Sequence, residues 1–373
     1  MAGLLATGAG GGSVRHGLHD AVVALRLVDG TGAVHALSAD DDPARFLAAG
    51  VAMGLLGVVS TMTLQCVPRF DVIGSESTST VARAFFDLCG SGAGSLEAFL
   101  RDTEYARVLW WPQRGVDKLV VWQARRMVAA DYGDETGAAW ALRARPYRAF
   151  DPVLGSTLPL QAVAGAALSL LGGWRSALSQ VAGPLLGAAL TALAERIGLP
   201  RLESALIDGF VPEDRGGPKR FWDSWHRALP MDDEIDERLL PTAFTEIWLP
   251  LEHTGEAMRR LRDLYRDDPA AAGSFVTELY AAGPSPFWMS PAHGGAMLRI
   301  NLFWLEKNPG DPREQFFPRI WALFEDLSPR LHWAKLVPLD ARAAGRTLAP
   351  SFAHWQDFLR VRAELDPDGL FLT

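Results

Sequence analysis

Three groups able to do chemistry sit within five residues near the end of this chain. They are the imidazole, indole and ammonium of "LHWAK", residues 331–335. A surface loop has no use for the Trp and a core strand has none for the Lys, so the grouping asks for a site that holds both. Two carboxylates raise a similar question. Glu246 in "TEIW" and Glu278 in "TELY" each interrupt an apolar run. Such a group either faces solvent from the polar side of a strand or works in a pocket. From the residues alone the solvent-facing position is the plainer reading. A third stretch, "GAGGGS" at 8–13, nearly spells the dinucleotide fingerprint G-x-G-x-x-G, with Asp29 further on. That fingerprint needs a strand before it and a helix after it. Here a hairpin pattern follows, and Ser13 stands in place of the last glycine. Small residues still let backbone N–H groups approach a bulky anionic ligand such as a pyrophosphate, although composition alone reads as a flexible terminus. No HExxH, GxSxG, Walker or CxxC pattern occurs, and no metal site is expected.

The elements that must position these groups follow from local pattern. "VVALRLVDGTGAVHALS" reads as two strands joined at "DGTG". "DPARFLAAGVAMG" reads as a helix with Asp42 near its cap and Pro43 in its first turn. "LLGVVSTMTLQCV" is β-branched and ends at Pro68, which predicts a buried strand. "TVARAFFDLCGSG" and "SLEAFLRDT" read as helices, and "YARVLWWPQ" and "DKLVVWQARRM" as paired strands. "PTAFTEIWLPL", "GSFVTELYAAG" and "AMLRINLFWLEK" are strands carrying the two carboxylates and Asn301. "TGEAMRRLRDLYRDD", "PREQFFPRIWALFEDLS" and "SFAHWQDFLRVRAELDP" read as helices. Irregular alternation with many hairpins points to α+β rather than doubly wound α/β.

Composition narrows the class. At 49% hydrophobic and 21% charged, the 373 residues can bury a large core. A formal net charge of −8 and no basic run argue against nucleic-acid binding. Cys66 and Cys89 make neither a metal spacing nor a disulfide framework, and read as buried thiols of a reducing, cytoplasmic compartment. No secretory signal is assigned. The apolar stretch at 153–199 is broken by Pro159, Gly165, Gly172 and Gly173. It reads as core or cap helices, with peripheral membrane contact as the rival.

Taken in order, these segments resemble a known family. "LLATGAGGGS…VVALRLVDGTGAVHAL", "GLLGVVSTMTL", "PTAFTEIWLPL", "TELYAAGPSPFWMSPAHG", "LRINLFW", "LHWAK" and "FLRVRAELDPDGLFL" are similar to the vanillyl-alcohol-oxidase-type (PCMH-type) flavoproteins, in the sugar-1,4-lactone and alditol oxidase branch. The resemblance implies an FAD-dependent oxidoreductase that oxidises a CH–OH group of a polyol, lactone or related alcohol. Its electrons would go to oxygen or to a quinone or cytochrome. It implies a partial flavin-binding subdomain at 1–70, a substrate domain of antiparallel sheet and helices at 71–328, and a segment at 329–373 that returns to the flavin. By the same resemblance Thr7, Gly8, Gly11, Gly12 and Ser13 run along the FAD, with Gly57, Val58 and Val59 beside them. Glu278 orients substrate hydroxyls, Asn301 and Tyr280 line the pocket, and His332 and Trp333 anchor a strand end against the flavin ring. Lys335 places its charge at the ring's N1–C2 edge. Tyr280 stands where alditol-oxidising relatives carry arginine, which leaves substrate identity open, while Gly10, where many carry histidine, and Ala334, where they carry glycine, alter how the flavin ring is held. The family's first flavin subdomain would precede Met1, so weak flavin retention is expected. The competing expectation is a non-catalytic truncated homologue that binds no flavin.

Overall fold

A computed structural model describes residues 2–132, 204–228 apart from 206, 210 and 215, then 238, 240–273, 275–306, 310–338 and 349–372. The apolar stretch at 153–199 lies outside the described residues.

The first seventy residues build a three-stranded antiparallel sheet in the order β2-β1-β3. β1 (Val22–Val28) and β2 (Val34–Ser38) form the expected hairpin. Asp29 makes its turn. One carboxylate oxygen accepts from the Thr31 and Ala33 amides and the Thr31 hydroxyl, while the other takes His35 Nε2 at 2.6 Å. The His35 bond, with those of Thr31 next, holds this carboxyl well below the usual carboxylate range. Asp29 is therefore a turn residue and not a ribose ligand. α1 (Ala2–Ala6) precedes the sheet, so the small-residue terminus is partly helical. α2 (Pro43–Ala49) starts as its sequence predicts, with the Asp42 side chain accepting from the Arg45 amide.

β3 (Val58–Leu64) is a strand but not a buried one. Among the described residues it borders only β1, and Val58 is 59% exposed. Its β-branched residues report strand propensity rather than core burial. The thiols differ from expectation too: Cys66 is exposed and Cys89 half-buried, both free.

The second sheet has eight strands, in the order β11-β8-β10-β9-β5-β6-β4-β7. They are β4 (Asp71–Thr80), β5 (Tyr105–Trp111), β6 (Lys118–Arg126), β7 (Lys219–Ser224), β8 (Thr242–Pro250), β9 (Thr277–Ala282), β10 (Met297–Leu305) and β11 (Arg330–Leu331). Every pairing between neighbours is antiparallel. Because side chains alternate across a strand, the sheet has two different faces. On one, Ile247, Leu249, Leu279, Leu298, Ile300 and Val108 meet α3 (Leu96–Asp102) and α5 (Thr254–Asp267) in one apolar cluster. Met258 and Leu261 of α5 are wholly buried there, each contributing about 1.5–3 kcal/mol. The other face carries the charged groups described below.

Two helices expected from sequence take other forms. Only Val81–Arg83 of "TVARAFFDLCGSG" makes a helical turn. Beyond it the Asp87 side chain accepts from the Cys89 amide and its backbone bonds Gly94 and Leu96, which holds a loop. "PREQFFPRIWALFEDLS" splits into α6 (Pro312–Gln315) and α7 (Phe317–Ala322), since Pro318 lacks an N–H and starts a new first turn. α7 joins the helix-covered face through Phe317, Ile320 and Trp321. α8 (Trp355–Leu365), after a short α4 (Trp225–Ala228) at the far edge, packs with α2 in a separate core beside the three-stranded sheet. Trp333 touches both cores.

Candidate active site

Register brings together three residues that are far apart in sequence. Asn301 on β10 lies opposite Glu246 of β8 on one side and Glu278 of β9 on the other. Alternation places Trp248, Arg299 and Tyr280 two positions along the same strands, so they form the next row on the same face. Both carboxylates are 1% exposed. The solvent-facing reading of their sequence context therefore fails, and each needs compensating donors.

Those donors differ. Glu246 accepts Arg299 Nε at 3.0 Å, Arg299 Nη2 at 2.7 Å and the Trp248 indole N–H at 2.6 Å. This is a forked ion pair, the strongest kind a carboxylate makes. The guanidinium lies 4.9 Å from the centroid of Trp248 and 5.0 Å from that of Tyr280. Burial pushes the Glu246 carboxyl up, but Arg299, with the Lys335 charge adding to it, holds it below its usual value. Glu278 instead accepts from three residues: Arg107 of β5 at 2.7 Å, the Tyr280 hydroxyl at 2.7 Å and Asn301 Nδ2 at 3.2 Å. Asn301 Oδ1 is buried with no partner among the described residues.

"LHWAK" now has a structural reading. The backbone runs on from β11 along β8, with the His332 amide donating to Glu246 O and the Leu336 amide to Phe244 O. His332 is buried with its ring near-parallel to Trp248, 6.4 Å between centroids. Burial lowers its pKa to about 4, against the pull of Glu246, so the ring is neutral at pH 7 and Nδ1 accepts the Ala334 amide. Trp333 stacks on Phe352 and donates to the Met289 carbonyl at 2.7 Å. Lys335 Nζ lies 3.7 Å from the centroid of Phe244, a cation–π contact. Its charge is felt at Glu246 and His332.

The glycine-rich loop borders the other end of this face. Gly10 O accepts from Arg299, Gly12 O from the Ala106 amide at 2.8 Å and Ser13 O from the Gly283 amide at 3.1 Å. Gly11 has φ +126°, and a Cβ there would overlap the Arg299 guanidinium. Beside the loop is a small open cleft lined by Gly8, Gly10, Gly11, Ser13, His19 and Trp248, among others. Thr7, Gly12, Gly57, Val58 and Val59 do not line it. Thr7 gives its hydroxyl to Gly3 O, and Gly57 sits against the Val28 carbonyl within the three-stranded sheet.

The residues present fit part of a flavin. Hydrogen bonds among the described residues leave the Gly10, Gly11 and Gly12 amides unused, and His19 Nε2 is buried without a partner. Among the described residues no group of His, Cys, Asp or Glu could hold a metal ion, and no helix is long and apolar enough to cross a membrane.

Arg107, Arg299 and Trp248 were not singled out by sequence, and Glu246 was placed second to Glu278. A signal exists in the period: Glu246/Trp248, Glu278/Tyr280 and Arg299/Asn301 are all i, i+2 pairs, which strands hold on one face. What sequence lacks is the strand order that aligns them.

Comparison with known proteins agrees in outline. Residues 235–373 match the family model described as ALO, D-arabinono-1,4-lactone oxidase. The chain is 24% identical over 387 residues to an L-gulonolactone oxidase of Scyliorhinus torazame, covering 100% of this chain and 72% of that one. It is 25% identical over 376 residues to an L-gulono-1,4-lactone dehydrogenase of Mycobacterium tuberculosis, with the same coverage. A D-arabinono-1,4-lactone oxidase of Saccharomyces cerevisiae is 28% identical over 134 residues, 36% of this chain and 24% of that one. Among solved structures, a cholesterol oxidase from Brevibacterium sterolicum superposes with a TM-score of 0.64 at 14% identity, covering 99% of this chain and 73% of that one. At that identity the likeness shows the fold: mixed α and β, with antiparallel sheets.

Proposed function

We propose that this chain, which carries a D-arabinono-1,4-lactone oxidase family domain over residues 235–373, is an FAD-dependent oxidoreductase acting on the CH–OH group of a sugar lactone or a related alcohol. The observation that carries the reading is the buried row Glu246–Asn301–Glu278 with Asn301 Oδ1 left without a partner among the described residues. A buried polar atom without a partner costs about 1–3 kcal/mol, and a substrate hydroxyl donating to Oδ1 removes that cost. A second hydroxyl can donate to Glu278, whose carboxylate is oriented by Arg107, Tyr280 and Asn301.

The flavin, when bound, would supply a two-electron acceptor for the hydride that leaves the carbinol carbon, and the hydroxyl proton lost with it would pass to Glu278. The chain's own residues do the rest. Glu278 and Asn301 fix the carbinol by its oxygens, which is the orienting part of catalysis. Lys335 holds a fixed positive charge on the Glu246 side of the row, where it stabilises negative charge as it develops. Among the described residues Arg107 and Arg299 pair with the two carboxylates of the row, and Lys335 adds its charge near Glu246. The neutral His332 keeps the Lys335 turn closed through the Ala334 amide.

The test is anaerobic mixing of the FAD-reconstituted protein with L-gulono-1,4-lactone, D-arabinono-1,4-lactone and an alditol. Bleaching of the flavin by at least one lactone is expected. A flavin-loaded protein that no lactone or alditol reduces would contradict the reading.

A further inference from the structure

We propose that the half-buried patch of Leu109, Trp111 and Phe303 is the subsite for the non-reacting part of the substrate and that it selects an apolar one, an inference that rests on the functional reading above. Strand register places the patch. Leu109 of β5 lies opposite Glu278. Phe303 is two residues along β10 from Asn301 and opposite Phe244 of β8, and Trp111 is two along β5 from Leu109. Alternation puts all of them on the face that carries the Glu246–Asn301–Glu278 row. The polar row therefore has two unlike borders. Towards the glycine-rich loop stand Trp248, Arg299 and Tyr280, with Arg299 bonded to Gly10 O. On the other side stand Phe244, Phe303 and Trp111.

The aromatic border is continuous and held in place. Trp111 meets Phe275 edge-on at 5.7 Å between centroids, Phe275 meets Phe303 edge-on at 6.0 Å, and Phe303 stacks on Phe244 at 5.5 Å. Lys335 lies over Phe244, at the end away from Trp111. Val276, Leu305 and Ile207 are buried behind the patch, yet Leu109, Trp111 and Phe303 each keep part of their surface open. The Trp111 nitrogen is buried, so what that ring leaves open is carbon. A carbinol held at Glu278 and Asn301 thus has open hydrocarbon beside it. A fully hydroxylated chain laid there gives up water at each hydroxyl and finds no partner on these three side chains, which costs free energy. An alkyl chain covers the patch and gains about two- to fourfold in affinity per methylene. A few polar groups that fix orientation beside an apolar wall are what a small-molecule site needs.

Two series of 1,4-lactones separate binding from chemistry. In both, carbon 4 carries hydrogen, methyl, propyl or pentyl. One series has a hydroxyl at carbon 2, and the other lacks it and cannot be oxidised there. Calorimetry with the FAD-reconstituted chain gives Kd for the second series. Binding should tighten about two- to fourfold per methylene from hydrogen to propyl. Phe303→Ser should cut that gain by about half or more, and Phe303→Leu, which keeps an apolar surface, should retain most of it. The gain per methylene is a ratio between ligands, so a variant that merely lowers the amount of folded protein leaves it unmoved. Trp111→Ser carries the same prediction if Phe303→Ser does not fold. A flat or falling series in the wild type overturns the proposal, and so does a rising one whose slope is the same in the serine variant. Neither result touches the flavin reading, which the hydroxylated series tests. If none of its members, nor L-gulono-1,4-lactone, bleaches the flavin anaerobically, that reading falls and takes this proposal with it.

Discussion

The two buried carboxylates of the eight-stranded sheet are equally hidden and differently employed. Glu246 spends its oxygens on Arg299 and Trp248, and Arg299 in turn holds Gly10 of the glycine-rich loop. This couple ties the sheet to the loop. Glu278 is held by Arg107, Tyr280 and Asn301, and one of those, Asn301, still has an open acceptor. Burial therefore does not separate the two carboxylates, nor does it carry the substrate-orienting role proposed for Glu278. Unused hydrogen-bonding capacity in the shell does.

The largest expected effect follows from breaking the structural couple. Glu246→Ala leaves the Arg299 charge buried without its carboxylate, which costs about 3–5 kcal/mol. Equilibrium denaturation should show that loss, and hydrogen exchange should quicken at the amides of residues 8–13. Glu278→Ala should leave exchange in that loop as it was. Equal loosening of the loop in both variants would remove the division drawn here.

Lys335→Met sharpens the comparison from the Glu246 side. The aliphatic stem stays on Phe244 and the charge goes. Flavin should still bind, with reduction slowed about 10²–10³-fold, the scale of one preorganised electrostatic group, and with a lower reduction potential. A variant with wild-type reduction rate and potential makes the lysine a packing residue.

A smaller effect tests His332. Its folded pKa, about 4, lies below the ordinary 6.5. Between those values the unfolded chain binds a proton that the folded chain refuses, so stability falls as pH falls through this window. The slope from this one group is at most about 1.4 kcal/mol per pH unit. His332→Asn keeps an acceptor for the Ala334 amide and does not titrate. The difference in slope between wild type and variant, from denaturation at several pH values, isolates the histidine. Identical slopes would mean that the ring is not buried as described.

Much of the scaffold was legible in residue order. The Asp29 turn, the Asp42 cap, the strands holding Glu246, Glu278 and Asn301, and the apolar stripe of α5 all follow from local pattern and local hydrogen bonds. The site was only half legible. "LHWAK" and the two carboxylates stand out because they are polar groups in apolar surroundings. Arg107 and Arg299 do not, since an arginine in a strand reads equally well as a solvated edge. Their meaning comes from pairing between strands far apart in sequence, as with the 2.7 Å bond of Arg107 to Glu278. The errors have local causes. The β-branched residues of β3 suggest a core strand, and Pro318 and the Asp87 loop interrupt stretches whose apolar spacing alone suggests continuous helix.

The central claim is that substrate is oriented on the Glu278 side of Asn301 and that Glu246 acts through Arg299. Single-turnover flavin reduction by a lactone, measured for Glu278→Gln and Glu246→Gln at equal flavin occupancy, tests it most directly. The account predicts a fall of about 10²–10⁴-fold for Glu278→Gln and a much smaller one for Glu246→Gln, whose loss should lie instead in stability and flavin retention. A greater loss of reduction rate in Glu246→Gln than in Glu278→Gln would contradict it.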